Sequence, residues 1–348
     1  MKSTLPLLLL AALVASPATA MPLRVNETTI CADKGRPCAP ATSRARMKYE
    51  RMVASQPGFQ WGEAGGYCGS WAIQRATLAK GAWISQQQVR DHTSPGGGHD
   101  NEILSTNIEE AFKNLKITYE GFDYAHTPRP QQPAYFKWLK KHLAAGNAVT
   151  WMIMWNTQDY PIYGLTPPAG MYGHVEPVVG IQSNHPLNDT TVYDDDVAVH
   201  FTDGGTNTVH RVISTLPGTW AGVGQPAKCG DGYSYCIGPW SFGWAVTGFA
   251  DDVGAVEASL HIEPWQREPN TREGAAAIPL RGTVTATGLA KGASYDVYRW
   301  DSSADALTYE ARFKQATFVA SGESHVWADS ASFQSSSTTY YRVVPSKH

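Results

Sequence analysis

Apolar residues recur along this chain with two periods, and the period changes near residue 148. In the first half the spacing is helical. A helix-compatible run over 70–80 is followed by Gly81, which has the composition of a C-cap. Ser85 is suited to cap a short helix that runs to His92. Ile103, Ile108, Ala111, Phe112 and Leu115 are spaced for the buried face of a helix over 101–115, and 135–143 reads as another. From Ala148 onward the pattern belongs to strands, over 148–155, 174–181, 196–202 and 241–249. A helical first half followed by a stranded second half predicts an α+β fold.

The texture shifts again near residue 260. Residues 263–273 are charged and carry Pro264 and Pro269, as a linker does. Beyond them, 280–287, 295–299, 316–320 and 338–344 alternate between turns, which predicts a small all-β sandwich. Its aromatic stripe, Tyr295, Tyr298, Trp300, Tyr340 and Tyr341, reads as sandwich core. At the other end Lys2, the short apolar run 5–14 and Ala18-Thr19-Ala20 have the form of a secretory signal. The expected division is a signal peptide over 1–20, an N-terminal lead over 21–54, an α+β domain over 55–258, a linker over 259–275 and a β-sandwich domain over 276–348. A short amphipathic piece, 46–52, lies within the lead.

Composition narrows the classes. The chain has 348 residues, 42 % hydrophobic and 17 % charged, an ordinary globular balance. A formal charge of −3 gives no electrostatic case for nucleic acid, and beyond the signal no apolar run is long enough to span a membrane. Twelve tryptophans and sixteen tyrosines suit aromatic cores or an aromatic-lined cleft. A secreted location makes disulfides available to the five cysteines. The economical pairing by loop length is Cys31 with Cys38 and Cys229 with Cys236, one of three pairings these four allow. Cys68 is left over. Asn26 and Asn188 head glycosylation triplets.

Cys68 stands in Gly65-Gly66-Tyr67-Cys68-Gly69-Ser70-Trp71, just ahead of a helix-compatible run. A thiol at a helix N-terminus meets the positive end of the macrodipole and open N–H groups, and both favour the nucleophilic thiolate. Flanking glycines let a substrate approach the sulfur. The plainer alternative is a small buried cysteine opening a core helix. Asn188, Asp189, Asp194, Asp195 and Asp196 match no EF-hand spacing and read as a solvated acidic loop. His92, His99 and Asp100 read as loop residues, and the glycine-rich stretches lack the lysine of a phosphate loop. No metal or cofactor is implied.

Several segments in order resemble papain-like cysteine peptidases. Tyr67-Cys68-Gly69-Ser70-Trp71-Ala72 is similar to the nucleophile segment, Ile84-Ser85-Gln86-Gln87-Gln88-Val89 to the segment that follows it, and residues 143–149 to the next strand start. Gly173-His174-Val175-Glu176-Pro177-Val178-Val179-Gly180 is similar to the histidine segment. In style the double-glycine leader peptidase branch is nearest, because the strand over 197–203 ends in Asp203. The resemblance spans roughly 55–250. It departs from papain itself in having Gly65 three residues before the nucleophile, Gly62 where papains place a glutamine, and no Asn-Ser-Trp segment.

The resemblance implies a papain-like fold over 55–258. It implies Cys68 as nucleophile, His174 as general base, and Asp203 (with Asn207 as substitute) as the group that orients the imidazole. The Cys68 backbone N–H, joined by the Gln60 side chain, would stabilise the oxyanion. The expected protein is a secreted cysteine peptidase acting on peptide or protein substrates. Acyl transfer of the transpeptidase or transglutaminase kind uses the same apparatus, and a catalytically inactive papain-like binding protein is the alternative from another class. The C-terminal module is a candidate binder of protein or carbohydrate.

Overall fold

A computed structural model describes residues 27–31, 47–61, 66–93, 108–156, 171–202, 208–216, 235–237, 243–264 and 277–346. The first part contains β1 (Glu27–Cys31), β2 (Tyr49–Met52), α1 (Cys68–Leu78), β3 (Ala82–Ile84), α2 (Gln86–Asp91), α3 (Ile108–Asn114), β4 (Ile117–Gly121) and α4 (Gln132–Ala144). Strands then dominate: β5 (Val149–Asn156), β6 (Met171–Ser183), β7 (Val197–Phe201), β8 (Thr208–Val212), β9 (Tyr235–Ile237) and β10 (Gly243–Phe249). The last part holds β11 (Glu257–Glu263), β12 (Pro279–Thr287), β13 (Ser294–Trp300), β14 (Lys314–Val319), β15 (Ser324–Gln334) and β16 (Thr338–Pro345). Few helices and mostly antiparallel sheets make the fold α+β. The signal segment, Cys38 and Cys229 lie outside the described residues, and with them both proposed disulfides.

A nine-stranded sheet follows the order β1-β8-β7-β6-β5-β10-β4, with β2 added on β6 and β9 on β5. Its pairings are antiparallel except β1 with β8. The amphipathic piece of the N-terminal lead is therefore a strand in its second half, because Tyr49–Met52 pairs with Gly180–Ser183. Against this sheet α4 packs Tyr135, Leu139 and Leu143 on Val149, Trp151, Ile153, Val178 and Ile181. Helices α1 and α3 share a second core with Val179, Trp244 and Val246.

All eleven residues of α1 are buried, so it is a central helix rather than an amphipathic one. Several of its polar atoms are satisfied locally. Arg75 donates to the Pro57 carbonyl at 3.1 Å and to Gln74 Oε1 at 2.6 Å, and Thr77 Oγ1 donates to the Gln74 carbonyl at 3.0 Å. Ser85 caps α2 as its type predicts, accepting from the Gln88 N–H at 3.2 Å.

The last strands form two sheets, β11-β12-β15 and β14-β13-β16-β3. Two expectations about this region are corrected. Residues 259–263, read as linker, belong to β11, which pairs along its whole length with β12. The period of two that buries Ala258, Leu260 and Ile262 outweighs the charged residues beside them. The stripe read as sandwich core is also divided. Tyr295 and Tyr341 join the core between the two sheets, whereas Tyr298, Trp300 and Tyr340 face the core that contains α1 and α3. Strand β16 is buried on both faces, from Thr338 to Val344.

The two halves are thus built into one another. Strand β3 follows α1 directly yet pairs with β16, placing Trp83 opposite Thr339. Gly81 makes the handover with φ +83, and a Cβ there would stand 2.9 Å from the Tyr341 carbonyl. Leu78 and Trp83 enter the core formed by Leu260, Val284, Val297 and Val343.

Candidate active site

Cys68 is the first residue of α1 and is buried as a thiol, 3 % exposed. Among the described residues no side chain caps this helix, and its first turn holds no acid. The turn before Cys68 is fixed from α2. The guanidinium of buried Arg90 lies 3.5 Å from the centroid of the Tyr67 ring and donates to the Gly66 carbonyl. The segment up to Trp61 is pinned as well. Trp71 Nε1 donates to the Gly58 carbonyl at 3.1 Å, and Gln86 Nε2 donates to the Phe59 carbonyl at 2.7 Å. The Trp61 ring sits 5.0 Å from that of Tyr67.

Gln60 lies within this pinned segment, next in sequence to Trp61. Its Oε1 is buried and accepts no hydrogen bond among the described residues. Asp203 and Asn207 lie outside the described residues.

His174 is near the start of β6 and 4 % exposed. The next residue on the strand, Val175, packs on Cys68 and Ala72 at the helix start. The imidazole faces a group that the sequence reading did not single out. Glu176 Oε1 is 3.9 Å from His174 Nε2, and Glu176 Oε2 is 2.9 Å from His200 Nδ1. Trp151 Nε1 donates to Glu176 Oε2 at 3.2 Å, and Arg211 Nε donates to His200 Nε2 at 3.0 Å. Glu176, His200 and Trp151 are fully buried and Arg211 nearly so.

The electrostatics follow from burial. Desolvation lowers the His174 pKa to about 4; Glu176 pulls it up and His200 pushes it down. Burial also pushes Glu176 upward, but the charge and hydrogen bond of His200, with His174 and Arg211 behind, hold its carboxyl below the ordinary range. At neutral pH His174 is an uncharged imidazole beside a carboxylate. Such a ring can take up a proton. A signal for two of these partners was present: Glu176 and His200 are polar or charged residues within otherwise apolar strand runs.

The acidic loop is corrected in part. Asp196 is not solvated: it is fully buried and accepts from Lys140 Nζ at 2.8 Å and from the Tyr193 N–H at 3.0 Å. Among the described residues no group of three His, Cys, Asp or Glu side chains is arranged to hold a metal ion. A cavity of about 440 Å³ lies at the other end of α1, between the two halves, lined by Arg51, Lys80, Asn147, Glu257 and Arg342 among others. The helix separates it from Cys68 by about 16 Å.

No protein-family model matches the chain, and no curated protein does. Among solved structures it is similar to the clostridial cysteine protease Cwp84 after propeptide cleavage, at 10 % identity and a TM-score of 0.29, over 83 % of this chain and 80 % of that one.

Proposed function

We propose that this chain is a secreted thiol hydrolase of peptide or amide bonds, with Cys68 as nucleophile and His174 as general base. The observation that carries the reading is the packing of Cys68 on Val175. It brings together two segments far apart in sequence, a cysteine at a helix start and a histidine on a neighbouring strand. Cys–His chemistry needs two such segments to meet.

In this reading His174 takes the thiol proton as the sulfur attacks the substrate carbonyl. A carbon–sulfur bond forms and the carbonyl electron pair moves to oxygen. The Cys68 backbone N–H and the Gln60 amide receive the oxyanion. Collapse expels the amine, which leaves with the proton from the imidazolium. Water, deprotonated by His174, then cleaves the thioester and restores the thiol. An amine in place of water turns the same cycle into acyl transfer. The C-terminal strands offer a surface for protein or carbohydrate.

Replacing Cys68 by Ala tests the reading on a peptide library. Activity should vanish with the urea midpoint unchanged, and full activity in the variant would sink it. One observation favours a second reading, a binding protein on this scaffold: both Cys68 and His174 are buried, and Val175 covers the sulfur. A sulfur that resists alkylation until the protein is denatured would decide for that reading.

A further inference from the structure

We propose that the cavity between the two halves binds a small organic acid, its carboxylate held by Arg51 and Lys80 and its hydrocarbon body lying on Ala79, Ala255 and Val256. The proposal is independent of the chemistry assigned to Cys68. At about 440 Å³ the cavity has the size of a small-molecule site. Distant stretches of chain meet at its wall: β2, the end of α1, the turn after α4, β11 and β16.

Three cations line it, Arg51, Lys80 and Arg342, against one carboxylate, Glu257. Arg342 is engaged, because its Nε donates to Asp251 Oδ2 at 2.7 Å. Arg51 and Lys80 have no carboxylate within ion-pair distance among the described residues. Lys80 Nζ donates to neutral acceptors, Asn147 Oδ1 at 2.8 Å and the Gly146 carbonyl at 3.3 Å, which uses two of its three N–H bonds. The Arg51 guanidinium lies against the Gly146 backbone, where an added Cβ would stand 2.7 Å from its terminal nitrogen. Burial lowers the Lys80 pKa; Glu257 pulls it up, and Arg51 and Arg342 push it down, so the cations act on one another.

The negative poles of two helices also end here, but they do not need these cations as caps. The Leu78 carbonyl of α1 accepts from the Gly81 N–H at 3.2 Å. In α4 the His142 and Leu143 carbonyls accept from the Asn147 and Gly146 N–H groups, each at 3.0 Å. The last turn of α4 has Lys141 and His142 of its own. A carboxylate between Arg51 and Lys80 would relieve their repulsion, and the guanidinium fork matches its two oxygens. The half-buried Ala79, Ala255 and Val256 supply an apolar wall beside that head group, which favours an organic acid over a bare inorganic anion.

The test is isothermal titration of the full-length chain at fixed ionic strength with hexanoate, and with acetate, inorganic phosphate and hexanamide for comparison. Hexanoate should bind saturably at one site, acetate and phosphate more weakly, and hexanamide, which has the same shape without the charge, not at all. Arg51 is exposed, so Arg51→Ala should fold normally and weaken hexanoate about tenfold or more. Arg51→Lys should fall between it and the parent. Lys80→Met should weaken binding as well, and should that variant fail to fold, the Arg51 pair decides alone. Arg312→Ala, at an exposed arginine just before β14, should leave binding unchanged. Absence of saturable hexanoate binding, hexanamide or phosphate binding as tightly as hexanoate, or an unchanged affinity in Arg51→Ala would each overturn the proposal.

Discussion

Trp83 Nε1 donates to the Ser335 carbonyl at 3.1 Å. A tryptophan that stands five residues beyond the end of α1 is thereby anchored among the last strands, in a core with Leu260, Val297 and Phe333. The strand carrying it completes their four-stranded sheet. The two halves share side chains rather than merely touching.

Trp83→Ala should therefore destabilise the whole protein by about 3–5 kcal/mol, the usual cost of emptying a buried aromatic site. Urea unfolding followed by far-UV circular dichroism should stay a single transition. Two separated transitions would show that the halves unfold independently.

The Lys140–Asp196 pair is fully buried, with a nitrogen–oxygen distance of 2.8 Å. Lys140→Met strands a carboxylate in the core and should cost about 3–5 kcal/mol. Adding Asp196→Asn removes that charge and should recover part of the loss. A double-mutant cycle on urea midpoints measures the coupling, and additive losses would mean that the pair is not coupled.

Acid should weaken the fold in two steps. The folded His174 has a pKa of about 4 against an ordinary 6.5, so from pH 6.5 down to 4 the unfolded chain binds a proton that the folded chain refuses. Stability falls through that window by a total on the order of 3 kcal/mol. His142, lowered by burial against the pull of Glu120, adds in the same direction. Glu176, held below its ordinary range, contributes stability above pH 4.5 that is lost as pH falls further. Urea midpoints at pH 7.5, 5.5 and 4.5 should decline in order, and His174→Gln should flatten the upper part of the decline.

Arg90 connects α2 to the turn before Cys68 through the Tyr67 ring and the Gly66 carbonyl. Arg90→Lys loses the planar stacking and should cost about 1–2 kcal/mol. It should also alter the rate at which Cys68 is alkylated in the folded state. An unchanged rate with lowered stability would confine Arg90 to holding the fold.

The sequence carried the local features well. The run behind Cys68, the cap at Ser85 and the apolar stretches of β5, β6, β7 and β10 all express short-range periodicity, and they appear within a few residues of where it puts them. What escaped depends on distant partners. Strand β3 has three residues, too few for a period, and is a strand because β16 pairs with it. Asp196 read as solvent-facing because its neighbours are acidic; Lys140 on α4 decides otherwise. In the candidate site, Cys68 and His174 stand in recognisable motifs, whereas Glu176 was hidden in one of them as a strand residue. Only the approach of Trp151, His200 and Arg211 from three other strands shows it as a buried, paired carboxylate.

The pairing of β3 with β16 also orders events in time. The strand that follows the Cys68 helix presents an open edge until residues far along the described chain reach it. Closing so long a loop is costly in entropy, and topologies rich in such contacts fold slowly. During synthesis the cysteine-bearing helix would thus wait for a strand made much later before its surroundings are complete. Pulse-labelling of Cys68 in stalled chains lacking β16 should find the thiol reactive, and protection there would mean that the helix settles without its late partner.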